Sequence, residues 1–134
     1  PFARDYMRDI GHFDFGANLR PIDFDGWLGA AAVPDPMTGD FWLRYWCATF
    51  QYLLANRSAN LRFLSYERCC ATPQAALETL ADVIGATAQR EQLLGHAQRF
   101  RAPRSYDARQ LGLDTALVQQ ARELHGRLLA AATV

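Results

Sequence analysis

The stretch NLRFLSYERCCATPQAALETLADVIG, residues 60–85, decides the fold. Its first eight residues follow a turn-like Asn-Arg-Ser-Ala-Asn and carry Leu, Phe, Leu and Tyr over the length of one strand, which predicts a buried strand over 60–67. A helix follows. Thr72 offers an N-cap with Pro73 at the first helical position, and Ala76, Leu77, Leu80, Ala81 and Ile84 form a 3.6-period stripe that stops at Gly85.

Upstream, Asp40 is placed to cap a helix through FWLRYWCATFQYLLANR, where Phe41, Trp42, Leu43, Tyr45, Trp46, Phe50, Leu53 and Leu54 leave little of the circumference polar. Such a helix is expected to be buried. Before it, residues 11–40 crowd eight Gly and Pro together without a sustained period, so the reading is a long irregular, aromatic-rich loop with one short helix around 25–32. Residues 1–10 put Phe2, Tyr6 and Ile10 on one face of an amphipathic helix ending at Gly11. Downstream, a helix is expected over 88–98, then an arginine-rich break at Pro103. Asp114 caps a last helix lined by Leu117, Val118, Ala121, Leu124 and Leu128. The pattern is mainly α with one or two short strands, in a single segment of 134 residues.

Composition narrows the function. Half the residues are apolar and 21% are charged, enough greasy material for a core and too few charges for overall disorder. Fourteen basic residues balance fourteen acids, which argues against nucleic acid as a partner. No apolar run reaches the ~20 residues of a membrane span, and no secretory leader pattern is visible, so a cytoplasmic protein is expected. Every basic charge is Arg, which excludes Schiff-base lysine chemistry and the phosphate-gripping lysine of a GxxxxGK[ST] loop within this chain. Cys47, Cys69 and Cys70 are an odd count with two adjacent members and no CxxC spacing, so reduced thiols are expected and no metal site.

The order of the pieces FWLRYW at 41–46, LRFLSYE at 61–67, Thr72-Pro73 and LADVIG at 80–85 resembles the PAPS-dependent sulfotransferase family, in its bacterial type, over about residues 27–130. The resemblance implies the C-terminal part of an α/β P-loop-type sulfotransferase fold, with the other half of the domain as its partner. It also implies a transferase that moves a sulfuryl group from 3′-phosphoadenosine 5′-phosphosulfate, its nucleotide cofactor, to a hydroxyl or amine on a small-molecule or peptide acceptor. Tyr66 matches the family tyrosine that contacts the adenine; Trp42, Tyr45 and Trp46 would wall the acceptor pocket. Tyr66-Glu67-Arg68-Cys69 stands where the family has Tyr-Glu-Asp-Leu, and Thr72-Pro73 where it has Asp-Pro. The family's sulfonate-binding loop and the Arg and Ser pair that hold the 3′-phosphate are absent from these residues, and no catalytic residue is assigned.

Other polar residues read more plainly. His12 beside Asp14 could be oriented as a base, while His96 and His125 are expected at the surface. Arg99, Arg101, Arg104 and Arg109 belong to a stretch, 88–127, with seven Arg against four acids, able to clamp a phosphate or to stand solvated. A different reading is a non-catalytic helical interaction module that presents Phe13, Phe15, Phe24 and Trp27 as an apolar patch.

Overall fold

The computed structural model describes residues 5–6, 19–29, 33–104, 107 and 110–134, and these are mainly helical. The helices are α1 (Gly39–Ala55), α2 (Tyr66–Ala71), α3 (Pro73–Val83), α4 (Arg90–Leu94) and α5 (Thr115–Ala131), with short 3-10 turns at Phe24–Gly26, Thr87–Gln89 and Ala97–Arg99. The described residues fall into two units, one drawn from Pro1–Arg57 and Asp107–His125, the other from Ser58–Tyr106 and Gly126–Val134.

In the first unit, α1 is capped by Thr38, whose Oγ1 accepts the Phe41 N–H, and not by Asp40. Asp40 instead turns its carboxylate to accept the Asp114 N–H at 2.9 Å. Asp114 caps α5 as expected, its Oδ1 accepting the Leu117 N–H at 2.8 Å. The expectation that α1 is buried all round is corrected: only Phe41 and Cys47 are buried on it, and Trp42 keeps 37% of its surface. The all-round apolar character comes from aromatic rings, which cover large areas while staying half-exposed. On α5, Leu117, Ala121 and Leu124 are buried within this unit.

Residues 19–29 wrap onto the aromatic face of α1. Trp27 stacks on Tyr45 with centroids 5.4 Å apart, Phe24 meets Tyr52 at 5.2 Å, and Phe41 lies 5.7 Å from Trp27. Polar handles fix the segment: the Ile22 N–H donates to the Tyr45 hydroxyl and Trp27 Nε1–H donates to the Ile22 carbonyl. Where a helix is expected from residue 25 there is only one 3-10 turn, because Asp25 and Gly26 take positive φ of 54° and 76°. The remainder of that expected helix, 30–32, lies outside the described residues, as do Phe2, Ile10, His12, Asp14, Phe13, Phe15 and Arg109.

In the second unit the expected strand over 60–67 is corrected. Among the described residues no strand forms; Phe63 makes one parallel bridge to Ala132. The Thr133 N–H donates to the Phe63 carbonyl at 2.9 Å and the Ser65 N–H donates to the Val134 carbonyl at 2.8 Å. The chain then turns helical at Tyr66, because Ser65 accepts the Arg68 N–H on its Oγ and caps α2.

The helix from Pro73 forms as expected and ends in a Schellman motif, with the Ala86 N–H on the Ala81 carbonyl and the Gly85 N–H on that of Asp82. Gly85 supplies the positive φ of 70° that the motif requires. Ala76, Leu77 and Ala81 are buried in this unit, as are Phe63, Cys69 and Leu128. The single helix expected over 88–98 is three short pieces, broken at Gly95.

Candidate functional site

Tyr66 stands on the step where the extended residues 61–65 become a helix, and that step aims its side chain outward with 47% of its surface exposed. The ring lies against Phe100, centroids 6.1 Å apart, and leaves part of its area open. Its hydroxyl donates to the Arg101 carbonyl at 3.0 Å, and the Cys70 thiol donates to the same oxygen at 3.0 Å. Two donors on one carbonyl tie the 100–101 backbone to α2. The Ser65 hydroxyl donates to the Glu67 carboxylate, so this acid is held at the start of α2, where the helix dipole favours it.

The arginines of this unit divide. Arg90 pairs with Asp82. The Arg101 guanidinium folds back on the carbonyls of Gln98 and Phe100. Arg68, Arg99 and Arg104 are exposed and have no ion-pair partner among the described residues. Next to the same loop, Thr72, Pro73, Gln74, Ala75, Ala97 and Gln98 line a cavity of about 500 Å³ at the start of α3. Thr72 does not cap that helix with its side chain; its hydroxyl donates to the Arg68 carbonyl instead. Tyr66 thus offers a partly open aromatic face, and Arg68, Arg99 and Arg104 offer guanidinium groups with no acid paired to them among the described residues.

The aromatic residues of α1 belong to the first unit and serve two purposes. Trp42 donates its Nε1–H to the Pro36 carbonyl at 2.9 Å, and Tyr45 accepts from Ile22, so both anchor the irregular segment that precedes the helix. Trp46 packs on Phe50 at 4.9 Å and borders a groove shared with Leu43, Leu113 and Val118. On the other side, Arg44, Gln51, Asp114 and Gln120 rim a cavity of about 360 Å³ above the buried Cys47. Neither hollow was signalled by a motif. The spacing of Val118, Arg122 and His125 along one face of α5 was the available clue, and His125, with His96, is half-buried and not at the open surface.

All three cysteines are free thiols. Burial pushes the Cys47 thiol above its ordinary range, and burial, then the neighbouring Cys70, does the same to Cys69. Neither is activated as a nucleophile. Among the described residues no group of His, Cys, Asp and Glu is arranged to hold a metal, and no helix is long and apolar enough to cross a membrane. Comparison with family models, curated proteins and solved structures finds no match to this chain.

Proposed function

We propose that this chain forms the adenine-facing part of a cytoplasmic sulfotransferase-like enzyme, the C-terminal portion of an α/β P-loop-type domain. The reaction passes a sulfuryl group from 3′-phosphoadenosine 5′-phosphosulfate to a hydroxyl or amine on a small-molecule or peptide acceptor. The acceptor atom bonds to sulfur, the bond from sulfur to the 5′-phosphate oxygen breaks, and the acceptor's proton leaves to a base outside the residues identified here. The observation that carries the reading is the exposed Tyr66 ring on the step from extended chain to helix, tethered to an arginine-rich loop.

The edge of residues 61–65 supports it. Phe63 and Ser65 face residues 132–134, whereas the backbone groups of Arg62 and Leu64 find no partner among the described residues. Parallel pairing belongs to sheets with several strands and both faces covered, so this open edge suits a neighbour from the remainder of such a domain. Phe24 and Trp27, two of the four aromatics that an interaction patch would use, lay their rings on α1 and are half-buried there.

Isothermal calorimetry with 3′-phosphoadenosine 5′-phosphate tests the assignment. Tyr66→Phe keeps the ring but loses the tether to the Arg101 carbonyl and binds more weakly than the parent, while Tyr66→Ala loses roughly tenfold in affinity, the scale of one stacked base. Absent binding in a chain that is folded by circular dichroism, or full binding by Tyr66→Ala, overturns it.

A further inference from the structure

The first unit holds a groove that the nucleotide reading does not use. Leu43 and Trp46 of α1 face Val118, Arg122 and His125 of α5 across about 370 Å³, with Leu113 closing one wall. This volume lies in the range of small-molecule sites. The lining is apolar apart from Arg122 and His125, which sit three residues apart on one face of α5, and no acid lines it. Glu123, the nearest acid in sequence, accepts a hydrogen bond from Gln119 and lies outside the lining. Arg122 has no acidic partner among the described residues.

The wall is built, not incidental. Leu113 approaches Gly39 so closely that a Cβ there would lie 2.6 Å from its Cδ2, and the Asp40 carboxylate holds the next residue, Asp114, by its backbone N–H. Trp46 is braced by Phe50.

We infer that this groove binds a small apolar molecule ending in an anionic group, a carboxylate or sulfate, with its body between Leu43, Trp46 and Val118 and its charge at Arg122. An apolar body replaces water on the walls, and the guanidinium supplies a charge-assisted hydrogen bond that a neutral end group cannot receive as strongly. A cation meets repulsion at Arg122, and a polyhydroxylated or nucleoside body would lose water against Leu and Val without compensation. The inference is independent of the nucleotide assignment, which concerns the other unit.

Calorimetry with octanoate and octanol on the chain, followed by variants, decides the matter. Octanoate binds saturably at one site and octanol roughly tenfold more weakly, as expected for one charge-assisted contact. Arg122→Met, which retains the apolar stem, weakens octanoate to the level of octanol and leaves octanol unchanged. Val118→Phe fills the groove and weakens both. Equal affinity for the acid and the alcohol, undiminished octanoate binding by Arg122→Met, or no saturable octanoate binding by a chain with its helical circular dichroism intact overturns the inference. Arg122 is exposed, so its replacement leaves the fold measurable by the same spectrum.

Discussion

Asp114 works twice, through its carboxylate on the Leu117 N–H and through its own N–H on Asp40. Removing the carboxylate in Asp114→Ala uncaps α5 and costs about 1 kcal/mol, which thermal denaturation reads as a midpoint lowered by about 3–6 °C. Asp40→Ala has a smaller effect, because Thr38 already caps α1. The cap at Asp114 was legible, since a capping residue directly before an apolar stripe is a local signal. The role of Asp40 was not, because its partner lies 74 residues away and no local pattern carries that contact. The same limit applies to Tyr45: its place in the helix is readable from periodicity, but the bond that its hydroxyl accepts from Ile22 depends on how an irregular segment folds back.

At the scale of elements, two glycines make opposite predictions. Gly85 sits at φ +70° in the Schellman motif, so Gly85→Ala destabilises by about 1 kcal/mol even though its Cβ would meet nothing within 4 Å. Gly126 lies inside α5 with open space around its missing side chain, and Gly126→Ala stabilises by about 0.5–1 kcal/mol through helix propensity. Urea titration of both variants against the parent shows midpoints moving in opposite directions. The extent of the helix from Pro73 was legible, because the proline at its start, the stripe through Ala76, Leu77 and Ala81 and the glycine stop are each local; the side chain of Thr72 bonds elsewhere and Ile84 stays exposed, and neither had a local signal. Residues 60–67 were half legible. Their apolar run gave an extended segment, yet the pairing depends on residues 132–134, far along the chain, and the Ser65 cap that turns Tyr66 into a helical residue was hidden inside what looked like a continuous strand. For the candidate site, the sequence placed Tyr66 at the end of a strand, whereas it opens a helix, and its tie to Arg101 had no local signal.

For the molecule as a whole, each unit contains one buried thiol, Cys47 in the first and Cys69 in the second, and both are raised above the ordinary thiol value chiefly by burial. The neutral form is the one that fits the folded state. Stability from this source is complete below the unfolded thiol value and is lost as pH rises through the higher folded values, so these two thiols weaken the chain on the alkaline side. The thermal midpoint of the parent falls more steeply above about pH 9 than that of a Cys47→Ala, Cys69→Ala double variant, measured by circular dichroism across the range. Labelling with iodoacetamide at neutral pH follows the same logic: Cys70, only half-buried, is modified first, and the other two wait for unfolding.

The rim at Arg62 and Leu64, whose main-chain groups have no partner among the described residues, has a further effect on behaviour at high concentration. Unsatisfied main-chain groups beside a greasy side chain are a template on which other polypeptides can add by ladder pairing, and Leu64 offers 49% of its surface there. Arg62, exposed next to Leu64, places a cation on this rim, and a like charge on a second copy opposes pairing along it.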